Sequence, residues 1–133
     1  MRIIIADDSA IMREHLADAL SGLENIEIIG SANSGSQALE SIRKLKPDVA
    51  VLDIKMQSGS GIDVLEEIKQ DADCPVVIMF TNYPFPQYRK KCEQAGADFF
   101  FEKSNESNLL IETLEDLAEK FREEESGSGG NDG

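Results

Sequence analysis

The sequence is poor in the side chains from which zinc and thiol sites are built. It has one histidine, His15, and two cysteines, Cys74 and Cys92, which fit no CxxC or Cys/His metal spacing. A His-rich zinc site is therefore excluded, and both cysteines are interpreted as packing residues. His15 is interpreted as a residue on a helix surface.

Long hydrophobic runs are also lacking, and none approaches the roughly 20 residues of a membrane span. The N-terminus has no basic stretch followed by an apolar segment, so we expect no secretory signal and a cytoplasmic protein with no membrane partner. The 133 residues suffice for one domain. We expect that domain to span residues 1–123, with residues 124–133 as a flexible acidic, Gly/Ser-rich tail or the start of a linker.

Positive charge is scarce as well. Thirteen basic residues stand against 26 acidic ones, which gives a net charge of −13. Phosphate backbones and anionic membranes would repel such a chain, so we expect no nucleic-acid partner for this domain. No GxxxxGK[ST] motif is present, which argues against a P-loop nucleotide enzyme.

Five short apolar segments alternate with five amphipathic ones, and this pattern predicts a (βα)₅ chain. The predicted strands cover residues 2–6, 26–31, 48–53, 76–80 and 98–102. The predicted helices begin after Ser9, near Gly35, near Ser60, near Tyr88 and near Glu106, and the last of them ends near Glu123.

Strands that are apolar without alternation are typical of a parallel sheet buried on both faces. Joined by right-handed helical crossovers, they predict a single-domain α/β fold of the flavodoxin-like, doubly wound type, with strand order 2-1-3-4-5.

Polar side chains stand at four of the predicted strand ends: Asp7 and Asp8 after the first, Asp53 at the third, Thr81 after the fourth and Lys103 after the fifth. In the predicted order the first and third strands are neighbours, so three carboxylates would meet at the carboxyl edge of the sheet. Such a cluster needs a cation, and Mg²⁺ suits oxygen ligands and phosphate chemistry. The hydroxyl and the lysine complete a site that could hold a phosphoryl group on a carboxylate.

The motifs resemble those of the CheY-like receiver domain of response regulators in two-component systems, over about residues 2–122. The matching stretches are Ile5-Ala6-Asp7-Asp8-Ser9, Val51-Leu52-Asp53-Ile54-Lys55-Met56, Met79-Phe80-Thr81-Asn82 and Ala95-Gly96-Ala97-Asp98-Phe99-Phe100-Phe101-Glu102-Lys103.

The resemblance implies a signalling switch rather than an enzyme, with Asp53 as phosphoacceptor. The donor would be a sensor histidine kinase or a histidine phosphotransfer protein. Mg²⁺ or Mn²⁺ would be held by Asp8, Asp53 and the backbone carbonyl of Lys55, with Asp7 acting through water.

The resemblance also implies how the signal is formed. Thr81 and Lys103 would hold the phosphoryl oxygens, and Thr81 would move together with Phe100 as a switch. The resulting change would alter protein contacts at the face made by helix 4, strand 5 and helix 5, toward an unidentified downstream protein. Dimerisation on activation stays open, and for Phe100 simple core packing is an equal alternative.

Several residues depart from the commonest pattern of the family. Asn82 stands where a very small residue is usual, and Lys55 and Tyr83 occupy positions that tune dephosphorylation. Together they predict a long-lived phosphorylated state. Ser104 replaces the usual proline after Lys103, which leaves open whether that peptide bond is cis or trans.

The segment Pro84-Phe85-Pro86 predicts a delayed or loosened fourth helix. Two rival functions remain to be compared with the phosphoacceptor. A receiver-like interaction module that is never phosphorylated is one, and all five polar strand-end residues argue against it. A flavodoxin-like cofactor binder is the other, and the carboxylates after the first strand would repel its phosphate.

Overall fold

The computed structural model describes residues 1–83 and 85–131, with side chains described as far as Glu124. The five strands are β1 (Arg2–Ala6), β2 (Glu27–Ala32), β3 (Val49–Leu52), β4 (Val76–Thr81) and β5 (Phe99–Glu102). The five helices are α1 (Ala10–Ser21), α2 (Gly35–Leu45), α3 (Gly61–Ile68), α4 (Pro86–Ala95) and α5 (Ser107–Asn131). Among the described helices, none is both long and apolar enough to cross a bilayer.

The strands form one parallel sheet in the order β2-β1-β3-β4-β5, which confirms the predicted fold class and strand order. Alternate residues along the central strands point to opposite faces. Ile4, Ala50 and Leu52 pack with α2 and α3, whereas Ile3 and Val51 pack with α1 and α5. The two-sided burial explains why these strands are apolar without alternation.

Serine side chains cap three of the helices. Ser9, Ser34 and Ser60 accept hydrogen bonds from the backbone N–H groups of Met12, Gln37 and Ile62. The caps fix where α1, α2 and α3 begin and thus the loops that approach the carboxyl ends of β1, β2 and β3.

Two helix boundaries differ from expectation. Helix α4 begins at Pro86 rather than near Tyr88, because proline lacks an N–H and is well suited to the first turn. Helix α5 continues past the expected end at Glu123 to Asn131. Glycine disfavours a helix interior by about 1 kcal/mol per residue, so the local sequence does not explain this extension. Pro84, Asp132 and Gly133 lie outside the described residues, and the expected domain boundary at residue 123 stays a prediction.

The peptide bond between Lys103 and Ser104 is trans. The backbone of Lys103 is held by a hydrogen bond, since its N–H donates to the carbonyl of Thr81 at 2.9 Å. Ser107 Oγ in turn donates to the Lys103 carbonyl at 3.1 Å. The loop after β5 is thereby tied to both β4 and α5.

Candidate functional site

Asp53 lies directly after β3, at the carboxyl edge of the sheet and 5% exposed. Its N–H donates to the Ala6 carbonyl at 2.9 Å, which continues the β1–β3 pairing to this residue. On the other side the start of α3 closes in, because Gly61 N–H donates to the Ile54 carbonyl at 2.8 Å. A Cβ atom at Gly61 would stand 2.0 Å from the Asp53 carbonyl oxygen. Only glycine therefore permits this packing.

Asp7 and Asp8 follow β1 and occupy different environments. Asp7 is buried, its N–H donates to the Ala32 carbonyl, and its Oδ1 accepts from Ser9 N–H at 2.9 Å. Asp8 is exposed. The Asp7 carbonyl also accepts from the Arg13 guanidinium at 2.5 Å. This contact fixes the turn that carries both carboxylates.

Lys103 joins the two buried carboxylates. Its Nζ is 2.8 Å from Oδ2 of Asp53 and also pairs with Oδ2 of Asp7. All three side chains are 6% exposed or less. Charges so far from water need partners, and this lysine supplies one to each acid.

The charges of the cluster shift the pKa values of two groups. Burial raises the pKa of Asp53, the ion pair with Lys103 opposes that rise, and the nearby charge of Asp7 adds to it, so the pKa stays above its ordinary value. Burial lowers the pKa of Lys103, but its bonds to Asp53 and Asp7 outweigh burial and leave that pKa raised. The lysine is therefore a permanent cation of the site at neutral pH.

Carboxylate oxygens of Asp7, Asp8 and Asp53 all lie within 4.8 Å of one another. Oδ1 of Asp53 is buried and makes no hydrogen bond within the described part of the chain. Buried oxygens without a hydrogen-bond partner are rare and costly, and each one calls for an explanation such as a bound ion or a reactive role. The three clustered carboxylates supply oxygen ligands that fit a hard divalent cation such as Mg²⁺.

Thr81 ends β4 and is fully buried, and its Oγ1 accepts from Tyr83 N–H at 3.0 Å. Its hydroxyl also lowers the pKa of Asp53, by less than the burial and the charges of Lys103 and Asp7 shift it. The threonine thus borders the acidic cluster.

The residues expected to tune or transmit the signal lie around the cluster. The ammonium of Lys55 sits over the ring of Tyr83, 4.5 Å from its centroid, while Asn82 is exposed. Phe100 points to the α4 side of the sheet, where the guanidinium of Arg89 stacks 4.4 Å from its ring centroid.

The sequence did not indicate three contacts that shape this site. They are the contacts of Gly61, Arg13 and Arg89, none of which belongs to a motif. A short Gly-x-Gly before an amphipathic helix, Gly59-Ser60-Gly61, is the one local signal that could have suggested a close backbone approach at Gly61.

Comparisons with known proteins agree with this architecture. The family model of the response regulator receiver domain matches residues 3–115. A protein-glutamate methylesterase/protein-glutamine glutaminase of Syntrophomonas wolfei is 32% identical over 124 residues, which are 91% of this chain and 35% of that protein. Eight curated relatives are 32–40% identical, and the chain spans 23–58% of their lengths.

Solved structures show the same likeness. The response regulator domain of Thermotoga maritima CheB superposes with a TM-score of 0.79 at 28% identity, covering 90% of this chain and 94% of that one. The CheX-CheY-BeF₃⁻-Mg²⁺ complex of Borrelia burgdorferi gives a TM-score of 0.79 at 25% identity, covering 88% of each chain. The family match spans most of this sequence, and its two ends fall within β1 and α5 of the described fold. By that match, this chain belongs to the response regulator receiver domain family of two-component systems.

Proposed function

We propose that this receiver domain accepts a phosphoryl group on Asp53 from the phosphohistidine of a sensor histidine kinase or a histidine phosphotransfer protein. The observation that carries the proposal is Oδ1 of Asp53, which is buried and unpartnered while Oδ2 is held by Lys103. One carboxylate oxygen is thereby oriented and the other is left to react.

In the proposed transfer, a carboxylate oxygen of Asp53 forms a bond to phosphorus and the bond from phosphorus to the imidazole nitrogen breaks. The electron pair of that bond stays on the imidazole, and the product is an acyl phosphate. Lys103 is already in place beside Asp53 to neutralise the phosphoryl oxygens, and Thr81 would donate its hydroxyl to one of them.

The acidic cluster would hold the divalent cation on which transfer depends. Asp8, Asp53 and the Lys55 carbonyl are the proposed ligands, with Asp7 acting through water. When bound, Mg²⁺ or Mn²⁺ would offset the negative charge that builds up as phosphoryl oxygens approach the carboxylates.

Incubation with acetyl phosphate and Mg²⁺, followed by intact mass measurement, tests the proposal. We expect one added phosphoryl group on the unchanged protein and on Asp18→Asn, an exposed aspartate of α1, and none on Asp53→Asn. An unmodified protein would favour the rival function of a receiver-like module that acts without phosphorylation, and a modified Asp53→Asn variant would mean that another residue is the acceptor.

The output of the switch is proposed to be a change in protein contacts at α4, β5 and α5. Phe100 is the candidate relay, since it lies on β5 and contacts Arg89 of α4. The names of the curated relatives describe longer proteins, and no catalytic activity of theirs is assigned to this domain.

The contact between Lys55 and Tyr83 supports a slow loss of the phosphoryl group. Their cation–π pair joins the loops after β3 and β4, which are the two loops beside Asp53. In Tyr83→Ala that pair is lost, and we expect the acyl phosphate to hydrolyse severalfold faster, as followed by intact mass over time. Phe85→Ala, an exposed neighbour in the same loop, should keep the original lifetime. Equal lifetimes in all three proteins would contradict a shielding role.

A further inference from the structure

A second cleft lies between α3 and α4, beside the acidic cluster but lined by other side chains. Its volume is about 390 Å³, within the range of small-ligand and side-chain pockets. Met56 and Ile62 are buried against it, Tyr88 is half-buried, and the exposed residues Lys55 and Lys91 also line it. The cleft therefore combines an apolar floor with positive charge.

The positive charge of this cleft contrasts with the rest of the chain, whose net charge is −13. Arg89, Lys90 and Lys91 are consecutive on α4, and Lys55 faces the same cleft as Lys91. Within the described side chains none of these four cations makes an ion pair, although Lys55 and Arg89 contact the rings of Tyr83 and Phe100. One acid, Asp63, also lines the cleft.

We propose that this cleft binds an acidic, partly apolar peptide segment of a partner protein. Acidic side chains would pair with Lys55 and Lys91, and an apolar or aromatic side chain would pack on Tyr88 and Met56. A nucleic acid is disfavoured, because its phosphates continue well beyond the cleft and the net charge of −13 would repel them, whereas a short peptide can confine its acidic side chains to the two lysines.

Binding at this cleft does not require the proposed phosphorylation, since no lining side chain belongs to the group formed by Asp53, Asp7 and Lys103. Asp53→Asn should therefore bind the same peptides. This separates failure of the cleft proposal from failure of the phosphoacceptor proposal.

Selection from a random display library of short peptides tests the cleft without assuming a sequence. We expect selected peptides to be at least threefold enriched in Asp and Glu over the starting library, with an aromatic or large apolar residue nearby. The enrichment should vanish on Lys55→Glu/Lys91→Glu and persist on the matched control Lys120→Glu, an exposed lysine of α5. Circular dichroism of each variant verifies that it folds.

One selected peptide, labelled with a fluorophore, should lose affinity at least tenfold in Lys91→Glu and also as salt is raised, as expected for exposed charges. Peptides without acidic enrichment, or acidic peptides that bind the double variant equally well, would overturn the proposal. Self-association of the domain that Lys91→Glu abolishes would overturn it too, because a second copy would then be the occupant.

Discussion

Removing the buried cation of the acidic cluster gives the most direct test of how the site is held together. In Lys103→Met the side chain keeps its length and apolar stem but loses the ammonium shared by Asp7 and Asp53. Breaking a buried ion pair by deleting one partner costs about 3–5 kcal/mol, because the remaining charge stays desolvated. The pKa of Asp53 is already raised by burial, and further protonation of that carboxyl limits the loss. We therefore expect the free energy of unfolding to fall by about 3 kcal/mol in metal-free buffer.

Lys69→Met is the matched control, because Lys69 pairs with Asp98 at 3.2 Å but the two side chains are 21% and 41% exposed. Surface pairs of this kind contribute about 0–1 kcal/mol. The assay is urea unfolding at neutral pH in EDTA, followed by circular dichroism.

Magnesium adds a second readout to the same experiment. Three carboxylates and one ammonium give the cluster a formal charge of −2, which becomes −3 in Lys103→Met. A divalent cation should therefore stabilise the variant more than the unchanged protein, by about 1.4 kcal/mol for each tenfold gain in affinity. The reasoning is refuted if Lys103→Met is no less stable than Lys69→Met in EDTA, or if excess MgCl₂ stabilises Lys103→Met and the unchanged protein equally.

Two further predictions concern the packing. Gly61→Ala must displace the backbone at Asp53, since the new Cβ would lie 2.0 Å from the Asp53 carbonyl oxygen. We expect the free energy of unfolding to fall by about 1–3 kcal/mol and phosphoryl uptake from acetyl phosphate to slow. Gly22→Ala, whose new Cβ meets nothing within 4 Å, should change neither. Equal behaviour of the two variants would contradict this close approach. Burial raises the pKa of the Cys92 thiol from 9.0 to about 11, so between those pH values the unfolded chain binds fewer protons and the free energy of unfolding falls as pH rises. The difference in free energy of unfolding between the unchanged protein and Cys92→Ala should show this fall, and its absence would mean that the thiol is not buried. A thiol reagent at neutral pH should label Cys74 alone until the protein unfolds.

The fold and the acidic cluster could be predicted because both follow from features that are local in sequence. Short apolar strands between amphipathic helices leave few topologies, and parallel strands bring their carboxyl ends to one edge. Asp7, Asp53 and Lys103 stand at such ends, and the structure places them in contact. The proximity of these three residues follows from the strand order alone, without knowledge of the intervening side chains.

Other features depend on distances that the sequence does not encode locally. Gly61 matters because α3 approaches the Asp53 carbonyl, and that approach is set by how α3 packs on the sheet. Arg89 contacts Phe100 because α4 begins at Pro86, and the hydrophobic periodicity of the sequence does not predict that start. Helix α5 ends at Asn131 rather than near Glu123. The sequence does not predict this end, since Gly and Ser favour a flexible tail by composition.

Strand β5 links the proposed phosphorylation site to the surface through two contacts of unequal strength. Lys103 follows the strand and holds two buried carboxylates, whereas Phe100 within it is held by a half-exposed cation–π contact with Arg89. A buried pair is worth about 3 kcal/mol on loss of one partner, and a cation–π contact near water only about 0.5–1 kcal/mol. The interactions exchanged when Lys103 turns from Asp7 and Asp53 toward a phosphoryl group are larger than the Arg89–Phe100 contact, so we infer that this exchange can alter that contact. Among the described strands β5 lies at the edge and pairs only with β4, so it can shift without breaking a second set of ladder hydrogen bonds. The response should therefore emerge at α4 and β5 rather than at the central strands β1 and β3.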